Sequence, residues 1–148
     1  MSKTSLLAGI AGEYFVAAEL SRRGYIASIT LRNTRGIDIL ATNSEATHNV
    51  TIQCKTSRGF DKKWILTDKS ESFISDTHFY IFVELGTDTK RPSYHIVPSK
   101  DVATYISTSH KKWMNGTKSN KQPRKNSGIR VFNDKESSYA DRWDLLGL

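Results

Sequence analysis

Between residues 5 and 57 the hydrophobic period of the chain changes once, from helical to strand spacing, and the two regimes follow each other directly. A helix that leads straight into paired strands has to lie against the sheet they form. From Ser5 to Arg23, the residues Leu6, Ile10, Glu13, Ala17 and Leu20 recur at three- and four-residue spacing, within an arc of roughly 80° on a helical wheel. Gly24 supplies the stop, and Arg22 and Arg23 stand where the C-terminal dipole favours cations. The β-branched run Tyr25 to Leu31, the polar turn Arg32-Asn33-Thr34-Arg35-Gly36 and the segment Ile37 to Ala41 read as strand, turn, strand. The polar stretch Thr42 to Asn49 leads to a third strand. There, Val50, Ile52 and Cys54 alternate with Thr51, Gln53 and Lys55.

Further on, the near-continuous apolar run Phe79 to Leu85 predicts a buried central strand, paired with Ser93 to Val97. A second helix is expected through Val102, Tyr105, Ile106 and Trp113, with Ser99 as its N-cap. Residues 111–127 are rich in Lys, Asn, Ser and Gly, lack any period, and read as a mobile basic loop. Gly128 to Phe132 is expected as a last edge strand, and Ala140 to Leu146 as a short helix buried by Trp143, Leu145 and Leu146. The expectation is one α/β domain over residues 1–148, with a mixed sheet of about five strands flanked by helices.

Composition narrows the function. No apolar run is long enough to cross a bilayer as a helix, so no membrane partner is expected. The single cysteine, Cys54, excludes an internal disulfide and a cysteine-based zinc site, and makes the cytoplasm the expected compartment. The net charge of +7 favours an anionic partner, and the surplus lies at the two ends of the chain rather than in its middle. The four histidines show no ligand spacing and are assigned no role.

Three polar residues conflict with their surroundings. Glu13 falls inside the apolar arc of its helix, where an unpaired carboxylate needs a cation, a metal or a raised pKa; the bland alternative is a Glu that reaches solvent or pairs with Arg35. Glu19, on the other side of the wheel, is expected to be solvated. Asp38 stands between two isoleucines in a strand, where Asp is depleted. Gln53 and Lys55 share one face of the third strand, while Cys54 turns to the other face with Ile52.

An acid on a helix, a Gly-Ile-Asp strand and a Gln-x-Lys strand, in that order, form a constellation. In it the sequence resembles the PD-(D/E)XK nuclease superfamily. "GEYFVAAELSRRGY", "GIDILA" and "IQCKTS" are similar to the helix and two strands of archaeal Holliday-junction resolvases and related restriction-type enzymes, across residues 9–57. The resemblance implies a restriction-endonuclease-like αβββαβ core. It also implies a site in which Asp38, Gln53, the Cys54 backbone carbonyl and Glu13 hold Mg²⁺, with Mn²⁺ as substitute, and Lys55 helps activate the attacking water. Such a cation polarises the phosphate and acidifies water. The family most often has an acid where this chain has Gln53, which removes one negative charge from the ligand set.

Around this site Arg32 and Arg35, just before Asp38, and Ser57 and Arg58, just after Lys55, are candidate phosphate contacts. Lys111, Lys112, Lys118, Lys121, Arg124 and Lys125, with Trp113, form a candidate clamp on a nucleic-acid backbone. The leading expectation is a metal-dependent endonuclease acting on DNA, with branched, repair or restriction substrates all open. The alternatives are a catalytically weakened module that binds DNA or a protein, and an RNA-processing nuclease. A homodimer is also left open, because a symmetric pair of sites could cut two strands where one cuts one.

Overall fold

Gly24 ends the first helix as its position predicts. In the computed structural model, which describes residues 3–32 and 34–148, helix α1 spans Lys3–Arg22. Gly24 takes φ +84°, the Tyr25 N–H donates to the Leu20 carbonyl at 3.1 Å and the Gly24 N–H to Ser21 at 3.0 Å. This is the paired reverse bonding of a Schellman turn. Strands β1 (Ile26–Ile29), β2 (Ile39–Thr42) and β3 (Asn49–Ser57) follow as an antiparallel meander. Of the intervening polar turn, Asn33 lies outside the described residues.

The chain then builds β4 (Lys63–Thr67) and a 3₁₀ turn (Asp68–Glu71) before β5 (His78–Glu84) and β6 (Ser93–Pro98). The main sheet has the order β1-β2-β3-β5-β6, with β3 and β5 parallel and the other neighbours antiparallel. This is the expected five-stranded mixed sheet. β5 is buried along its whole length, as its unbroken apolar run requires. The crossover from β3 to β5 is made by β4 and the 3₁₀ turn. The second long helix, α2 (Ser99–Met114), arrives only after β6.

Two cores flank the sheet. On one face Val16 and Leu20 of α1 pack on Ile39, Ile52, Ile81 and Ile96, closed by Trp143 and Leu146. On the other, Val102 and Ile106 of α2 pack with Tyr80, Phe82, Trp64 and Phe132. Trp64 also ties β4 to the main sheet through its indole N–H, which donates to the Val83 carbonyl at 3.0 Å.

Several expectations are corrected. β7 (Ile129–Asn133), expected as an edge strand, pairs antiparallel with the unforeseen β4 in a separate two-stranded sheet. Residue Pro98, not Ser99, occupies the N-cap position; the Ser99 hydroxyl donates to the Ser75 carbonyl and accepts from its N–H, tying the helix start to the segment before β5. The C-terminal helix shrinks to a 3₁₀ turn, Trp143–Leu146, although Trp143 and Leu146 are buried as foreseen. The basic segment begins inside α2, whose last turn holds Lys111 and Lys112; beyond it Lys118 to Gln122 form a hydrogen-bonded turn next to a Thr117–Pro123 bridge.

The seating of α1 carries the largest correction. Its buried line is Gly12, Val16, Glu19 and Leu20, while Leu6, Leu7, Tyr14 and Phe15 are exposed. The helix is therefore rotated by roughly a quarter turn from the arc its spacing suggests. Apolar residues occur all round this helix, so period alone does not select the face. Glu19 is buried rather than solvated, and Arg23 (2.5 Å), Arg91 (2.7 Å) and Arg22 (3.4 Å) surround it. Burial pushes its carboxyl up, but these three cations outweigh burial and hold it below its ordinary value.

Gly12 sets the distance between α1 and β3, because a Cβ there would overlap the buried Thr56 hydroxyl. Gly12→Ala is therefore expected to destabilise the protein by about 1–3 kcal/mol in urea unfolding, despite alanine's better helix propensity. Gly9, three residues earlier, faces open space. Gly9→Ala should instead stabilise by about 0.5–1 kcal/mol.

Candidate active site

The pairing of β2 with β3 stops one residue after Asp38. Ile39 is opposite Ile52, the Asp38 N–H still donates to the Ile52 carbonyl at 2.8 Å, and β3 then runs on to Ser57 without β2 beside it. The next β3 group facing that empty edge is the Cys54 N–H, which donates to Asp38 Oδ2 at 2.7 Å. A side chain thus takes the place of a ladder partner. Strand geometry turns the N–H and C=O of one residue to the same edge, so the Cys54 carbonyl also faces Asp38. The Cys54 side chain packs against the α1-side core as expected, and burial, reinforced by Asp38 and Glu13, pushes its thiol well above the ordinary range.

The chain before Asp38 is held by Thr30, whose N–H donates to the Asp38 carbonyl at 2.9 Å and whose hydroxyl donates to the Ile37 carbonyl at 2.6 Å. Gly36 makes the turn with φ +61°. Asp38 is therefore placed by backbone bonds on both sides, at the slot where two strands part.

The other residues reach this slot from different directions. Glu13, on the flank of α1's buried line, approaches from the α1 face and lies close enough to Asp38 to interact with it electrostatically. Gln53 and Lys55 stand beside Tyr80 and Phe82 and project to the opposite face. Gln53 Oε1 comes to 3.7 Å from where a Cβ on Gly36 would sit, and Lys55 acts electrostatically on Asp38. The structure thus brings Glu13, Asp38, Gln53 and Lys55 together around one gap in the sheet.

What separates these residues from structural ion pairs is how little they are bonded. Glu19 has three arginines, and Asp134 accepts from His95, Ser138 and Tyr139. Glu13, Gln53 and Lys55 make no hydrogen bond or ion pair with any described residue, and the Asp38 carboxylate has the Cys54 N–H alone. All four are partly buried. Four partly buried polar groups with unused bonding capacity at one gap mark a candidate site. The donors are oxygens plus one ammonium, the set that suits a hard divalent cation next to a phosphate. Among the described residues no three His, Cys, Asp or Glu side chains cluster closely enough to hold a metal, so Glu13 and Asp38 are the only acids available there.

Electrostatics agrees with this reading. Burial holds Asp38 above its ordinary value, against the Cys54 N–H and Lys55, which both lower it. Burial and then the Asp38 charge raise Glu13, and Arg32 lowers it; Arg32, not Arg35, is the arginine that acts on Glu13. Arg35 instead lines a cleft with Gln53. Ser57 borders a second hollow with Lys55, its hydroxyl accepting from the Gly59 N–H at 3.1 Å, and Arg58 is exposed. Trp113 is covered by Arg124, whose guanidinium lies 4.9 Å from the ring centroid and donates to the Trp113 carbonyl at 2.6 Å. Lys118, Lys121 and Lys125 remain exposed.

No known family model matches the sequence, and neither does a characterised protein compared by sequence. Comparison of structures does find similar folds. The Holliday junction resolvase Hjc of Archaeoglobus fulgidus aligns with TM-score 0.54 at 12% identity, over 94% of this chain and 95% of that one. The bacterial homing endonuclease I-Ssp6803I aligns with TM-score 0.57 at 11% identity, over 99% and 92%. The chain shares the fold of these two structures, a mixed sheet flanked by helices as the motif resemblance implies.

A carboxyl whose pKa is raised on folding binds its proton more tightly in the folded state. Protonation then stabilises the fold, and that stability is lost as pH rises through the raised value. At neutral pH the charged Glu13 and Asp38 are therefore a net cost. Glu13→Gln and Asp38→Asn should each raise the melting temperature of the metal-free protein by a few degrees at pH 7. The gain should vanish in acid, below the ordinary carboxylate range, when melting is followed across pH.

Proposed function

We propose that this chain, built on the PD-(D/E)XK nuclease fold, is a divalent-metal-dependent endonuclease that hydrolyses phosphodiester bonds in DNA. The observation that carries the proposal is the convergence of Glu13, Asp38, Gln53 and Lys55, all partly buried and under-bonded, on the gap between β2 and β3. Asp38 and Glu13 are the anionic ligands for Mg²⁺ or Mn²⁺, and the Gln53 amide and Cys54 carbonyls are neutral ones. When bound, the cation offsets the mutual repulsion of the two acids and supplies Lewis acidity toward the phosphate. Lys55 places a positive charge where negative charge grows on the phosphate oxygens in the transition state. Arg32, Arg35 and Arg58 bring cations to the approaches of the site and hold flanking phosphates. The exposed lysines of the 111–127 segment extend the basic surface. The reaction belongs in the cytoplasm, where the lone Cys54 stays reduced.

A second reading rests on one specific feature. With Gln53 in the ligand set only two acids serve the site, which favours weak metal binding and a DNA-binding module with little or no cleavage. The readings separate by titration with Mg²⁺ or Mn²⁺. Binding at millimolar metal belongs to the nuclease; retained DNA binding with no metal binding belongs to the module.

Asp38→Ala and Lys55→Ala should each lower Mg²⁺-dependent cleavage by at least about a hundredfold while circular dichroism shows an intact fold. Wild-type rates in both variants would overturn the nuclease assignment. Gln53→Glu restores a third carboxylate, and should lower the metal concentration needed for half-maximal binding in calorimetry.

A further inference from the structure

A cleft of about 510 Å³ opens beside Gln53, on the face of the sheet opposite α1. Its volume lies within the range of small-ligand sites, about 300–1,000 Å³. Its walls include Arg35, Gln53, Lys69, Ser70, Phe73 and Tyr80, and no carboxylate lines it. Neither Arg35 nor Lys69 forms an ion pair with a described residue, so two cations face the cleft uncompensated. That charge pattern selects an anion.

Two further features define the anion. Tyr80 is fully buried, and its hydroxyl, which Ser70 influences electrostatically, is a buried polar atom without a hydrogen-bond partner among the described residues. A buried hydroxyl without a partner carries a penalty that a ligand in the cleft can remove. Phe73 is the aromatic wall. Its ring centroid lies 4.3 Å from that of buried His78, its edge is 3.1 Å from where a Cβ on Gly36 would sit, and 40% of its surface is still exposed. A partly open aromatic ring braced on one side, next to unpaired cations, is an arrangement that receives a base and its phosphate.

We propose that this cleft takes one unstacked nucleotide of the substrate: its base lies against Phe73, its edge meets the Tyr80 hydroxyl, and its phosphates meet Arg35 and Lys69. A cleft of this size admits a single nucleotide and excludes a stacked duplex. The cleft shares Gln53 with the metal-binding residues, so the captured nucleotide lies beside the cleaved phosphate. The preferred substrate is thus DNA with an unpaired nucleotide at or next to the scissile bond, and this inference rests on the nuclease assignment for its meaning in cleavage.

The test uses the full chain and two DNA hairpins closed by a non-nucleotide linker, one fully paired and one with a single 2-aminopurine bulge, in EDTA so that nothing is cut. Wild-type protein is expected to bind the bulged hairpin about tenfold more tightly and to quench its fluorescence by stacking. Phe73→Leu should lose the quenching and the preference while keeping its affinity for the paired hairpin. Tyr80→Phe, which removes only an oxygen, should weaken bulge binding alone. Lys69→Gln should reduce the salt dependence of bulge binding by about one charge. Equal binding of the two hairpins by wild type, or quenching unchanged in Phe73→Leu, would overturn the cleft. Repeating the assay with Mg²⁺ separates the two ideas. Bulge capture without cleavage overturns the nuclease and leaves the cleft standing; cleavage at equal rates on both hairpins overturns the cleft and leaves the nuclease.

Discussion

The hydrogen bond from the Cys54 N–H to Asp38 Oδ2 is the contact on which the site depends. A strand that runs past its neighbour leaves backbone donors that water or another group must satisfy. Here the neighbour's own terminal carboxylate does it, at 2.7 Å. That single bond places Asp38 in the plane of the sheet, in the slot between strands, where it is reachable from both faces. Without it, Glu13 on one side and Gln53 and Lys55 on the other would be separated by the sheet. The parting of β2 and β3 therefore does more than end a ladder; it opens a gap at which residues from opposite faces act on one group.

The position of Glu13 depends on a second constraint, the close approach of α1 to β3 at Gly12. Any side chain at that position would press on Thr56 and lift the helix. The helix is seated by Gly12, Val16 and Leu20, and held at its far end by Glu19 among its three arginines. The two glutamates on α1 show how neighbours decide the state of a carboxyl. Glu19 is the more buried of the two and is lowered, because its cations outweigh desolvation. Glu13 is raised, because burial and then the Asp38 charge outweigh the one cation, Arg32, that acts on it. One stabilises the helix seat, and the other is kept available at a cost in stability.

On the opposite face the same sheet register prepares a different surface. Tyr80 stands beside Gln53, and the Phe73 ring packs on both Gly36 and His78. Burial lowers His78 to about 4, so it is neutral and packs as an aromatic wall, one nitrogen bonded to the Thr51 hydroxyl. The turn that delivers Asp38 and the aromatic wall of the cleft thus brace each other. The candidate site and the cleft belong to one connected piece of structure.

Much of this was legible in the residues themselves. The helix and its glycine stop, the three-strand meander, the buried β5 and the order Glu13, Asp38, Gln53, Lys55 follow from local periodicity and from polar residues where apolar ones belong, because these depend only on neighbours in sequence. The face on which α1 is buried did not follow: its apolar residues occupy more than one side, and only contact with β3 at Gly12 selects among them. For the same reason the buried, paired state of Glu19 was missed, since Arg91 lies far away in sequence. The β4–β7 pair and the Phe73–Tyr80 cleft were hidden likewise, built from segments that meet only in three dimensions. The sequence by itself determined which polar residues stand where apolar ones belong, and in what order. The tertiary structure decided which face each one reaches and which of them remain unbonded, because both depend on pairings between segments distant in the chain.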